Sequence, residues 1–238
     1  MIVGLISDVH ANVIALEAAL NELKRRGAQS VVCLGDLVGY GPSPNETLEL
    51  LQQERVLCAL GAADEQIAFE FARSSKPRVG VADEILAWTR SVIEPRHVAF
   101  LRGLPTQLRL STPQGRLRAF HGTLDVQGGR VNLGGDNGAL AGLLEAQRCK
   151  ILAVGNSHVP FYRRLSSGWA VNPGSVGLSL NGEPGADYAL LTFSEGGLEV
   201  KMDKVEYDFA AVAFDIVAWG LPQAVAEAVQ RGRMPDKV

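Results

Sequence analysis

IVGLISDVHANVIALEAALNELKRRGAQSVVCLGD, residues 2–36, decides the fold class. It opens on an unbroken apolar run at 2–6, which reads as a buried strand. Val13, Leu16, Ala19, Leu20 and Leu23 then recur at helical spacing across 13–26. Asn12 stands where an N-cap belongs, and Gly27 where a helix stops. SVVCL at 30–34 is a second buried run. A strand, a helix and a strand in so short a span make a βαβ unit, and its two strands must pair in parallel. Both runs end in residues with chemistry, Asp8-Val9-His10 and Gly35-Asp36. In α/β sheets ligands gather beyond the carboxyl ends of the strands.

Outward from this unit, Leu48–Glu54 reads as a helix, 56–60 as a strand, and 64–104 as mostly helix broken at Lys76-Pro77 and Glu94-Pro95. Residues 107–111 and 116–121 flank Thr112-Pro113-Gln114-Gly115, a hairpin-like turn. Gly128 to Gly138 is glycine-rich and expected to be a loop, 139–147 a helix and 150–154 a strand. Short strands follow at 161–165, 168–171, 187–193 and 198–205. The expectation is one α/β domain spanning 1–238, with two sheets, flanking helices and a C-terminal helical extension at 208–231 split at Gly220-Leu221-Pro222.

The 238 residues are 47% hydrophobic and 21% charged, ordinary globular usage with ample material for a core. A net charge of −3 argues against a generally basic nucleic-acid binder. No apolar run reaches the roughly 18 residues that a membrane helix needs. The apolar start carries no basic n-region and meets Asp8 and His10 early, so it reads as a strand rather than a signal peptide, and a cytoplasmic location is expected. Cys33, Cys58 and Cys149 are odd in number and lack a CxxC spacing, which suits buried free thiols.

Asp8 and His10 are two apart in an extended segment and so point to one side. Such a mixed oxygen and nitrogen pair suits a transition metal or zinc. Asp36 ends the neighbouring strand, and one carboxylate can bridge two cations roughly 3.5–4 Å apart. His121 ends the strand RLRAF, and Asn156 and His158 follow KILAV with the same alternate spacing. Taken singly, each is a cap or a satisfied core histidine. Together they are better explained by a shared metal site. His97, after Pro95 in a helical stretch, is expected on the surface.

These motifs resemble the calcineurin-like metallophosphoesterases, especially the small bacterial phosphodiesterase-type members. The likeness runs through SDVHAN at 7–12, CLGDLVGYGPSPNE at 33–46, GAADE at 61–65, AWTRSVI at 87–93, HG at 121–122, GNSHVP at 155–160 and VNPGSVG at 171–177. It implies a four-layer α/β/β/α sandwich of two mixed β-sheets and hydrolysis of a phosphate ester with one or two divalent cations, Mn, Fe, Zn, Ni or Mg. It places a first metal on Asp8, His10, Asp36 and His158. The second metal is left with Asp36, His121 and the amide of Asn156.

The sequence departs from that pattern at one sub-site. Ala62 and Ala63 stand where the family carries a ligand asparagine and a catalytic histidine, Asn156 replaces a ligand histidine, and Thr123-Leu124 replaces the usual Ser-Pro. Three readings stay open. The first is a phosphoesterase with one intact metal and reduced activity, using Asp64 or His121 as proton donor. The second is a non-catalytic relative binding metal or a phosphorylated ligand. The third is a laboratory Asn-His to Ala-Ala exchange. Arg163, Gly174 and Ser175 are candidate phosphate contacts, with Arg164 and Tyr40 as weaker ones. The expected partner is a phosphate-ester small molecule or a nucleotide. Exposed strand edges suit a homodimer.

Overall fold

The computed structural model describes residues 1–69, 80–122 and 136–235. In chain order its elements are β1 (Ile2–Ile6), α1 (Val13–Arg25), β2 (Ser30–Cys33), α2 (Pro44–Gln53), β3 (Leu57–Cys58), α3 (Ala62–Phe69), α4 (Val81–Val92) and α5 (Pro95–Arg102). Then come β4 (Leu108–Thr112), β5 (Gly115–Phe120), α6 (Asn137–Ala146), β6 (Ile151–Val154), β7 (Phe161–Leu165) and β8 (Gly168–Asn172). The chain finishes with β9 (Ala186–Ser194), β10 (Gly197–Val205), α7 (Phe209–Ala218) and α8 (Gln223–Arg231).

Two five-stranded mixed sheets result, ordered β10-β9-β1-β2-β3 and β4-β5-β6-β8-β7. In the first, β1, β2 and β3 run parallel and β9 and β10 are antiparallel. In the second, β5, β6 and β8 run parallel between antiparallel β4 and β7.

Period-two alternation explains the layering. Val3 and Leu5 of β1, Val32 of β2 and Leu191 of β9 point inward to meet Leu117, Ile151 and Val171 of the other sheet. Their neighbours Ile6, Cys33 and Tyr188 point outward to Leu16, Leu20 and Leu23 of α1. On the far side, Phe120, Leu152 and Val154 take Leu140, Leu143 and Leu144 of α6. Helix, sheet, sheet and helix are thus four layers, with apolar contact at each junction. α7 and α8 form a further cluster with Ile85 of α4 and Leu178.

Local expectations hold at α1, where the Asn12 side chain accepts from Ala15 N. Three boundaries move. α2 starts at Pro44 rather than Leu48, since a proline at the first helical position has its φ preset and lacks only an N–H that would go unbonded there. The strand expected at 56–60 shrinks to β3, because Val56 N is taken by Leu51 O at the end of α2. Asn137 and Gly138 open α6 rather than closing a loop, while 128–135, Lys76-Pro77 and Thr123-Leu124 lie outside the described residues. Cys33, Cys58 and Cys149 are buried free thiols.

His97 corrects an expectation. It is 2% exposed, not a surface residue. Its Nδ1 meets Asn45 Oδ1 at 2.8 Å, and Asn45 also donates to Val92 O, so the pair clasps α2 to α5 and the end of α4. The spacing His97–Leu101, four apart and both buried, was the available signal. Among the described residues no helix is long and apolar enough to cross a membrane.

Candidate metal centre

The parallel strands of both sheets deliver their carboxyl ends to one place. Asp8 and His10 follow β1, Asp36 follows β2, Gly61 follows β3, His121 follows β5, and Asn156 and His158 follow β6. Asp8 Oδ1 lies 3.8 Å from His10 Nε2, 3.3 Å from His158 Nε2 and 3.9 Å from His121 Nε2. Asp36 Oδ2 lies 3.2 Å from His121 Nε2 and 3.9 Å from His10 Nε2. The Nε2 atoms of His10 and His158 face each other at 3.1 Å. Five side chains from distant parts of the chain therefore aim at one small volume.

Two overlapping groups of possible metal ligands emerge, Asp8-His10-His158 and Asp8-Asp36-His121. Asp8 is common to both, the bridging position that the resemblance gives to Asp36. Asn156 enters differently from expectation. Its backbone N–H donates to Asp8 Oδ2 at 3.1 Å, while the residue itself is exposed.

Close backbone approach builds this corner. Gly35, at φ +117°, and Gly61 pack so tightly that a Cβ on Gly61 would lie 1.9 Å from Asp36 N. Asp8, His10, Asp36, Asn156 and His158 all have φ between 49° and 69°. For non-glycine residues that region costs roughly 1–2 kcal/mol each, and such strain concentrates at functional sites. The hydrogen bonds Asp8 N to Gly35 O and His10 N to Asp36 O hold the two strained loops together.

Burial and charge set the protonation. Burial would raise the Asp8 carboxyl, but the histidines around it, His121 foremost, hold it below the usual carboxylate range, and Asp36 is lowered in the same way. Burial, and then the neighbouring His158, push His10 down to about 4. Burial disfavours charge on His121 too, yet Asp36 and Asp8 outweigh it and lift its pKa to about 9. The Nδ1 of His158 lies 2.6 Å from Leu178 O. A carbonyl only accepts, so Nδ1 carries a proton; burial disfavours charge on the ring, yet Asp8 outweighs it and raises His158, whose neutral form would present the Nε2 lone pair to the centre.

The residues fit a cation. Asp8 Oδ1, His10 Nδ1, and His121 Nδ1 and Nε2 are buried without a hydrogen-bond partner among the described residues. Buried polar atoms are rarely left so, and a cation between the carboxylates and the imidazole Nε2 atoms relieves Asp8 Oδ1 and His121 Nε2.

Other candidates change role. Asp64 is fully buried; its Oδ1 accepts from Leu37 N and Val38 N, and its Oδ2 from Gly61 N. Burial and the charge of Asp36 raise its carboxyl, whereas these three amides favour the carboxylate. With both oxygens bonded to backbone amides it braces the Asp36 loop. Ala63 contributes through its backbone, donating to Asp36 Oδ1 at 2.8 Å.

The loop after β8 offers no free amide to a phosphate at the two expected positions. Gly174 N donates to Asn172 Oδ1 and Ser175 N to Asp187 Oδ2. Ser175 is instead a hub that sequence reading missed. Its hydroxyl donates to Asp8 O at 2.7 Å and accepts from Leu178 N at 2.9 Å, tying Asp8 to the segment that orients His158. Arg163 is exposed on β7 over the Phe161 ring and, among the described residues, makes no contact with the cluster. Tyr40 packs its ring edge-on against His10, 4.7 Å between centroids.

Comparison with known proteins agrees with this fold. The chain is 28% identical to an uncharacterised protein of Methanocaldococcus jannaschii over an alignment of 257 residues, covering 97% of this chain and 98% of that one. It is similar to the crystal structure of a metallophosphoesterase from Sphaerobacter thermophilus, at 28% identity and a TM-score of 0.76, covering 98% and 99% of the two chains. It shares its fold with a hypothetical protein of Pyrococcus horikoshii, at 23% identity and a TM-score of 0.85 over 98% and 99%. Residues 1–196 match the calcineurin-like phosphoesterase superfamily domain, and the chain belongs to that superfamily.

Proposed function

We propose that this chain is a metal-dependent phosphoesterase that hydrolyses a phosphomonoester or phosphodiester with one strongly held cation and reduced turnover. The observation that carries the reading is the convergence of three imidazole Nε2 atoms on two buried carboxylates that have no Lys or Arg within ion-pair distance among the described residues. Asp8, His10 and His158 would hold the stronger cation, and Asp8, Asp36 and His121 a weaker one. Bound there, a divalent cation supplies Lewis acidity toward a phosphoryl oxygen and a lowered pKa for bound water.

The chain's own groups supply the rest. Asn156 N–H fixes the Asp8 carboxylate, the Ser175 hydroxyl holds the Asp8 backbone carbonyl, and Leu178 O fixes the His158 ring. Ala63 has no side chain that can protonate a leaving group. His121 carries a proton beside Asp36 Oδ2 and stands in for it wherever the weaker group holds no cation. A general acid is typically worth about 10²–10⁴ in rate, so an imperfectly placed substitute means slow turnover.

The test is release of nitrophenol from p-nitrophenyl phosphate and bis(p-nitrophenyl) phosphate in Mn, before and after chelation. Slow release that stops on chelation, and in Asp8→Asn, is expected. The absence of any His at 62 or 63 favours a second reading, a protein that binds metal or a phosphorylated ligand without cutting it. A chain that retains metal and releases no nitrophenol would establish that reading instead.

A further inference from the structure

The strands that carry the metal ligands have another end, and it is basic. A cavity of about 730 Å³ opens there, lined by Arg116 at the start of β5, by Arg148 and Lys150 just before β6, and by Glu145 as its one carboxylate. Ser111 and Thr112 from the end of β4 and Ser166 and Ser167 from the β7–β8 turn add four hydroxyls. A smaller adjoining cavity of about 190 Å³ shares Arg116 and adds Arg109 and Arg118. β5 separates this end from His121 by 6 residues, roughly 20 Å of strand. The two sites are therefore distinct.

We propose that this cavity binds a small oligophosphate anion. Several cations elsewhere, Lys24, Arg26, Arg96 and Lys204 among them, each meet a carboxylate. Among the described residues, Arg109, Arg116, Arg118, Arg148 and Lys150 have none within ion-pair distance, although the whole chain is net negative. Arg109 and Arg118 are direct cross-strand partners, a like-charge pairing that costs stability; Gln107 Oε1 accepts from both, at 3.4 and 3.5 Å, but brings no charge to offset theirs.

The carboxyl end of α6 does not account for this charge. Its last carbonyls already accept from the backbone N–H groups of residues 147, 148 and 149. Arg118 Nε and Ser167 Oγ are buried without a partner among the described residues. Guanidinium forks with adjacent hydroxyls suit phosphate oxygens, and the volume lies within the roughly 300–1,000 Å³ of ligand pockets. Several cations spread across two cavities that share Ser111 and Arg116 match two or more linked phosphates better than one. Among the described residues no aromatic side chain lines either cavity, which disfavours stacking on nucleic-acid bases.

Calorimetric titration of the full chain in chelator, with pyrophosphate as probe, tests this. Saturable binding at one per chain is expected, weakened roughly tenfold or more in Arg116→Ala/Lys150→Ala and unchanged in His158→Ala. Both exposed positions tolerate alanine, and circular dichroism verifies the fold. ATP binding as pyrophosphate does, with adenosine inert, confirms that the phosphates are what is read. No saturable binding overturns the proposal. So does binding lost in His158→Ala but kept in the double variant, or displacement of pyrophosphate by a short single-stranded DNA at far lower concentration.

Discussion

The two halves of the metal centre share Asp8 yet differ in how completely they are furnished. Asp8-His10-His158 has two imidazoles, one of them fixed by Leu178 O, and a carboxylate held by Asn156 N–H on a backbone tied down by Ser175. Asp8-Asp36-His121 has one imidazole, and the positions that would complete it are the methyl side chains of Ala62 and Ala63 and the exposed Asn156. The backbone that holds the weaker half is nevertheless intact: Ala63 N–H still donates to Asp36, and Asp64 still braces the loop. The scaffold of a site and the ligands it carries are thus separable features of the sequence.

If that is so, the largest effect should come from refilling the weaker half. Ala62→Asn with Ala63→His is expected to raise kcat for nitrophenyl esters by about 10²–10⁴-fold and to add a second bound metal. No rise, with two metals bound, would show that the pocket itself has changed.

The halves should also separate by pH in the metal-free chain. His10 falls to about 4 in the fold. The unfolded chain then takes up this proton first, so its stabilisation is full above about 6.5 and is lost as pH falls toward 4. His121 rises to about 9. Its stabilisation is full below about 6.5 and is lost as pH rises toward 9. Each limb is on the order of 3 kcal/mol. Urea unfolding in chelator should show stability falling above about 7, with His121→Gln flattening that limb and His10→Gln removing the contribution that offsets the raised carboxyl of Asp64 below it.

A smaller effect tests the support of the stronger half. Ser175→Ala leaves Leu178 N without its acceptor and removes the donor to Asp8 O, an expected loss of about 1–3 kcal/mol in stability. Metal affinity should drop about 10–100-fold while the second, weaker site changes less. Equal loss at both sites would make Ser175 a general prop rather than part of one half.

Much of this was legible because polar residues directly after apolar strands are conspicuous, and parallel pairing collects strand ends. Asp8, His10, Asp36, His121 and His158 were all found that way. Ser175 was not, because its partner Asp8 is 167 residues away and only tertiary packing joins them. Asp64 looked reactive in a list of acids but is bonded to three amides of two loops, a pairing no local pattern announces. His97 was misread by its exposed-looking neighbours Arg96 and Pro95, although its spacing to Leu101 pointed inward.

The central claim is inequality between two groups that share one carboxylate. Titrating the chelator-treated chain with Mn, followed by calorimetry and elemental analysis, tests it directly. One tight cation per chain, lost in His158→Ala, with a second only at much higher concentration, is the predicted result. Two equivalent cations, or none, would contradict it.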